Sequence, residues 1–340
     1  MRRGLKGLLW GLLGLFAVLC FWVFERDFPA SGVDRQYSNE ASAFLSLANG
    51  TRLHFRDQGN PAGPTIVLLH GSNSSLHTWG PWVNALGHGY RMVSLDLPGH
   101  GLTGRTPDDD YSTAAFISAV GALVEHLNLD TFVLAGNSMG GGVSWRYALT
   151  HPEQVSALVL VDASGPRQWR RADLDPSQDR SDTPLAFRLL QSPWFQSIAG
   201  YIDPYYLVVQ GLKASHFEPS IVDDDLVNRY YNLSMREGTR AATIKRFSTM
   251  ADAVKADASY DLGQVRQPSL ILWGEHDTLI PVSYAYQFEQ ALPDAEVVVY
   301  ADVGHIPMEE KPQVSARDVH TFLCARGIGP CALELGSAAW

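Results

Sequence analysis

The sequence predicts an α/β fold: a doubly wound, mostly parallel sheet, interrupted by a helical cap insertion and preceded by an N-terminal transmembrane helix. Three observations carry this. Continuous apolar runs of strand length alternate with helical stretches. That rhythm stops between about residues 166 and 260 and then resumes. The chain also opens with an uncharged stretch of membrane-spanning length.

In chain order, the opening stretch is Gly7–Phe24, 18 residues without a charge. As a helix it reaches about 27 Å, close to the ~30 Å hydrocarbon core of a bilayer. Trp10 and Trp22 lie towards its ends, where indole rings favour the interface. Arg2, Arg3 and Lys6 precede it, whereas Arg26 and Arg35 follow among Glu25, Asp27 and Asp34. This bias places the N-terminus in the cytoplasm and the rest of the chain outside it. The alternative is a cleaved signal peptide and a secreted protein, but the run is long and Phe28-Pro29-Ala30 makes a poor cleavage site. Residues 1–24 therefore read as an anchor and 25–42, polar and of mixed charge, as a tether.

Phe44–Leu47 and Arg52–Arg56 are short strands around Asn49-Gly50, a strong hairpin signal. Thr65–His70, Arg91–Asp96, Thr131–Gly136 and Ala157–Asp162 are apolar throughout, as in strands buried on both faces. Helical stretches near Thr78–Leu86, Ser112–Leu127 and Met139–Thr150 supply the crossovers that parallel strands need. After Gly165-Pro166 the strand pattern stops. Residues 166–260 are rich in aromatics and acidic clusters, a length sufficient for a small helical cap. These aromatics either line an apolar pocket or form the cap's own core. Ser269–Gly274, a helix near Val282–Leu292, Glu296–Tyr300 and a helix near Gln313–Arg326 complete the core, which comprises residues 43–165 and 261–340.

Composition narrows the function. Hydrophobic residues make up 46% of the 340, so a packed core is available and disorder is excluded. The net charge of −10 and the lack of a basic run argue against nucleic-acid binding. Three cysteines are too few for a disulfide scaffold. Cys324 and Cys331 either close a small loop, as an oxidising compartment would permit, or are two ordinary thiols.

The chemistry begins at Gly136-Asn137-Ser138-Met139-Gly140, which joins a strand to a helix. A nucleophilic serine needs a sharp turn that lifts its hydroxyl above the sheet edge, with little bulk two residues either side. The helix that follows points its N-terminus at developing negative charge. A serine also needs a base, and the base an orienting carboxylate. Asp277 and His305 follow at the ends of later strands, in the order Ser, Asp, His. Asp162, at the end of the sixth strand, is the rival acid. The backbone N–H groups of Met139 and of Ser72, in the loop after Thr65–His70, suit an oxyanion hole. No cofactor is implied, and no His, Asp, Glu or Cys set has convincing metal-ligand spacing.

At these residues the chain resembles the α/β-hydrolase superfamily, in its capped branch. The resemblance rests on His70-Gly71, on Asp96-x-Pro98-Gly99-His100-Gly101, on Gly274-x-x-Asp277, and on Gly304-His305-x-Pro307-x-x-Glu310-x-Pro312. It covers about residues 43–165 and 262–326. It implies a serine esterase or lipase-like enzyme cleaving an apolar acyl substrate. Capped relatives that open epoxides or remove halogens use aspartate where Ser138 stands. Gly-Asn-Ser-Met-Gly-Gly is also similar to hydrolases of carbon–carbon bonds, but those commonly carry Trp after the base, where Ile306 stands here. A C–C hydrolase, an acyltransferase, or a low-turnover ligand-binding protein on the same fold are the alternatives.

Overall fold

The computed structural model describes residues 25–166, 169, 189, 192–249 and 260–332. Eight strands form a single sheet: β1 (Ser42–Ser46), β2 (Arg52–Gly59), β3 (Thr65–Leu69), β4 (Arg91–Leu95), β5 (Phe132–Asn137), β6 (Val155–Val161), β7 (Ser269–Gly274) and β8 (Ala295–Tyr300). Their spatial order is β1-β2-β4-β3-β5-β6-β7-β8. β1 and β2 form an antiparallel hairpin whose turn places Gly50 at φ +82°, and β2 also runs antiparallel to β4. From β4 through β3, β5, β6 and β7 to β8 every pairing is parallel.

The central strands are apolar on both faces because both faces are covered. Ile66, Leu68, Val133, Ala135, Leu270 and Leu272 pack with Trp79, Trp82 and Phe322 on one side. Val67, Leu69, Leu134, Leu158, Ile271 and Trp273 pack with Val120, Val143 and Phe288 on the other. The strand ends are thereby fixed in space, and the loops that follow β3, β5, β6, β7 and β8 meet at one edge.

Between β6 and β7 the described residues are helical: Pro193–Ala199, Tyr205–Ser215, Asp224–Met235 and Thr239–Thr249. Leu212, Leu226 and Val227 form a small cluster of their own there. The cap aromatics divide. Phe195 and Phe247 are buried, whereas Trp194, Tyr201, Tyr205 and Tyr206 are 63%, 66%, 43% and 64% exposed. The exposed ones belong to none of the apolar clusters among the described residues.

Residues 25–42 are not a free tether. Ala30–Tyr37 forms a helix with Val33 buried against Leu102 and Leu233. Asp34 receives Arg236 at 2.7 Å, and Asp27 receives Arg240 at 2.6 Å. Phe28 pairs by backbone hydrogen bonds with Met235 and Glu237. Polar residues that look like a solvated linker are here partners of buried cap arginines. The expected membrane helix, Gly7–Phe24, lies outside the described residues, among which no helix is long and apolar enough to cross a membrane. Cys324 and Cys331 are joined in a disulfide, with Cα atoms 5.0 Å apart.

Candidate active site

β5 runs into Ser138 and the helix Met139–Thr150 begins at the next residue. Ser138 adopts φ +53° and ψ −117°, a conformation costly for a residue with a side chain. The turn is held from both sides: Ser138 donates its N–H to Val161 and accepts at its carbonyl from Gly142 and Ser164. The flanking glycines are steric necessities. A Cβ on Gly136 would meet the Gly140 carbonyl oxygen at 2.4 Å, and one on Gly140 would meet that of Leu69 at 2.2 Å. Met139 opens the helix, so its N–H has no intrahelical acceptor and points with the positive end of the helix dipole.

The loop after β3 lies against this turn. A Cβ on Gly71 would come 3.1 Å from the Cβ of Ser138 and 2.7 Å from Oδ1 of Asn137. Ser72 is the next residue of that loop. His70 and His100 organise that neighbourhood. His70 accepts the Leu97 N–H at Nε2 and bonds the Gly71 carbonyl through Nδ1. His100 meets the Pro98 carbonyl through Nδ1, and its Nε2 accepts from Arg246 of the cap. Burial first, and then the Arg246 charge, hold the His100 ring well below the usual histidine range.

Asp277 and His305 come together across the loops after β7 and β8. Nδ1 of His305 lies 2.6 Å from Oδ2 of Asp277, and both side chains are buried. The other Asp277 oxygen accepts the N–H groups of Leu279 and Ile280, so the carboxylate is fixed at both ends. His305 is held by its backbone as well: its N–H donates to the Ser215 carbonyl of the cap, and its own carbonyl accepts from Asn137 Nδ2. The sequence-stated sites thus divide into two assemblies, the Ser138 elbow and the Asp277–His305 pair. Asn137, adjacent to the serine, ties one to the other.

Three further residues shape this site: Glu310 and Asn137, which the sequence does not mark as positioning groups, and Asp162, which it marks as the rival acid. Glu310 accepts the Gly304 N–H at 2.7 Å and the Phe217 N–H at 2.7 Å, so it straps the base loop to the cap. The Gly-His-x-Pro-x-x-Glu spacing was its only signal. Asn137 was visible only as a variable position of the elbow. Asp162 is the third. It is fully buried at φ +44°, and one of its oxygens accepts the Gly274 N–H at 3.0 Å. Its other oxygen meets no donor. Burial first, and then the charge of Asp277, push its carboxyl well above the usual carboxylate range. Of the two carboxyls, Asp277 is the one that faces the imidazole at hydrogen-bond distance. Single donor atoms of Asp162, Asp277 and His305 all lie within 4.8 Å of one another. The 2.6 Å separation of Asp277 from His305 is that of two atoms sharing a proton, which leaves no room for a cation between them.

The comparisons with known proteins agree with this architecture. A family model for the alpha/beta hydrolase fold matches residues 64–312. The chain belongs to the α/β-hydrolase family. This hydrolase is 27% identical over 288 residues to a 2-hydroxy-6-oxo-2,4-heptadienoate hydrolase of Pseudomonas putida, covering 83% of this chain and 96% of that one. It is 26% identical over 297 residues to Lipase 1 of Psychrobacter immobilis, covering 85% and 86% respectively. Among solved structures it is similar to Cfl2 of Burkholderia cenocepacia, with a TM-score of 0.73 at 26% identity over 83% of this chain and 95% of that one.

Proposed function

We propose that this hydrolase cleaves a carboxylic ester, or a related acyl bond, of an apolar small molecule. The observation that carries the reading is the buried 2.6 Å contact between His305 and Asp277, at the ends of the adjacent strands β8 and β7, at the same edge of the sheet as the strained Ser138 elbow after β5. Ser138 Oγ attacks the acyl carbonyl while Nε2 of His305 takes its proton. Asp277 holds the Nδ1 proton and stabilises the imidazolium. The N–H groups of Met139 and Ser72 receive the oxyanion. His305 then returns the proton to the leaving alkoxide, and the alcohol departs from an acyl-serine. Water, deprotonated by His305, attacks that acyl group and releases the acid and Ser138. Nothing in this sequence of steps calls for a cofactor.

A second reading is C–C bond hydrolysis, supported by the near-complete overlap with the Pseudomonas putida hydrolase. Ile306-Pro307 after the base is the feature that turns the balance towards esters. We also place the catalytic domain on the extracytoplasmic side of a membrane. The charge bias around Gly7–Phe24 and the Cys324–Cys331 disulfide support that placement.

The test is turnover by the full chain in detergent, with Ser138→Ala as control. One set of substrates is p-nitrophenyl esters of rising chain length, and the other a 2-hydroxy-6-oxo-dienoate. Ester turnover that vanishes in the variant is the expected result, and its chain-length optimum sizes the pocket. Turnover of the dienoate alone would replace the ester reading with the C–C one.

A further inference from the structure

We infer that the exposed aromatic face of the cap is a bilayer-docking surface, and that the enzyme takes its ester from the lipid phase. Trp194 and Ile198 lie four apart on the helix Pro193–Ala199, one above the other on the same face, and Tyr201 follows just past its C-terminal end. Ile198 is 39% exposed, and the aromatic members are more so. Tyr205 and Tyr206, at the start of the next helix, are exposed as well, and Tyr205 is propped edge-on against Tyr231. Such a cluster of Trp and Tyr on one side of a domain is costly in water and suits the headgroup boundary of a membrane.

The path of the chain identifies the occupant. The N–H of Glu25 donates to the carbonyl of Tyr201 at 3.0 Å, so the polypeptide reaches this face as it comes from residue 24. Arg240 fixes that point by donating to the Glu25 and Ile202 carbonyls. The residues immediately before it are the uncharged run Gly7–Phe24. The membrane anchor that the sequence predicts for that run would set the aromatic face at the membrane surface. The net charge of −10 gives no general attraction to anionic lipid, so docking rests on apolar insertion and persists in zwitterionic bilayers and in salt.

The same geometry links the face to the chemistry. The helix Tyr205–Ser215 begins in the aromatic face, and at its end the Ser215 carbonyl accepts the His305 N–H at 2.8 Å. Its 11 residues span about 16 Å, within reach of one extended acyl chain. The substrate class that fits is an ester amphiphile that partitions into the bilayer. This part of the inference rests on the esterase reading, whereas the docking itself does not.

The experiment uses the full chain in phosphatidylcholine nanodiscs. Wild type is compared with Trp194→Phe for fluorescence quenching by lipids brominated at the upper acyl carbons, and the difference isolates Trp194 from the other indoles. The triple variant Trp194→Ser/Tyr201→Ser/Tyr206→Ser is assayed on p-nitrophenyl palmitate held in the bilayer and on p-nitrophenyl acetate in water. The expected results are quenching of Trp194 and a loss of roughly tenfold on the bilayer ester, with acetate turnover and melting temperature unchanged. The inference is overturned by an unquenched Trp194, or by a triple variant that keeps wild-type turnover of the bilayer ester. Self-association through this face, with no quenching, would also overturn it. If wild type hydrolyses neither ester, the esterase reading fails, and the quenching alone decides the docking.

Discussion

The strand-end loops and the cap are built on different principles. At the strand ends, short-range backbone geometry places two of the three reacting groups: Ser138 is set by glycines two residues away, and Asp277 by the N–H groups of Leu279 and Ile280, while His305 is held from further off by Ser215 and Asn137. The cap and the segment before β1 are held by contacts that span the sequence. Asp34 meets Arg236 and Asp27 meets Arg240, while Glu309 of the core receives Arg229 of the cap at 3.1 Å. Local geometry suits chemistry, which tolerates little displacement. Long-range ion pairs instead fasten one separately packed unit to another.

That comparison can be broken first at the acid. Asp277→Asn keeps the shape of the site but removes the acceptor that fixes the Nδ1 proton of His305. Its kcat is expected to fall by roughly 10⁴, with the melting temperature little changed. Loss of fold together with activity would mean that Asp277 is structural. At the other extreme, Arg236→Ala removes one of the two arginine partners of Asp34, leaving Arg52, and leaves the catalytic loops intact. A loss of about 1–3 kcal/mol in stability is expected by urea unfolding, with turnover of a small soluble ester unaffected. An equal fall in turnover would show that the two regions are not separable.

The smallest expected effect sharpens the boundary between acid and scaffold. Asp162→Asn supplies a carbonyl for the Gly274 N–H and an N–H directed at Asp277, so turnover at neutral pH stays within a few-fold of wild type. The sign of the pH effect follows from the raised carboxyl of Asp162. The stability that its proton contributes is full below the unfolded value of about 3.9 and is lost as pH rises through the folded value. The melting temperature of Asp162→Asn is therefore expected to gain on wild type steadily from acid to alkaline pH. A gap that does not change with pH would mean that Asp162 is ionised in the fold. A loss in turnover as large as that of Asp277→Asn would make Asp162 the acid.

The same division separates what the sequence reveals from what it hides. The runs at Thr65–His70 and Ser269–Gly274 are legible because strands covered on both faces have no polar side to confuse the period. Ser138, Asp277 and His305 are legible because their turns are local and their order along the chain is fixed by the strands they follow. The helix Ala30–Tyr37 is not legible. Its one buried apolar residue, Val33, gives little period, and the buried arginines that meet Asp34 and Asp27, Arg236 and Arg240, stand 202 and 213 positions later. The pairing of His54 with Asp96, at 2.7 Å and fully buried, is hidden for the same reason. So is the strap from Glu310 to Phe217.

The central claim is that Ser138 is an activated nucleophile. The direct measurement is the intact mass of the folded full chain after exposure to a fluorophosphonate, followed by peptide mapping, with Ser138→Ala alongside. The account predicts a single adduct on Ser138 that is absent from the variant. A folded protein left unlabelled, or labelled at another residue, would contradict it.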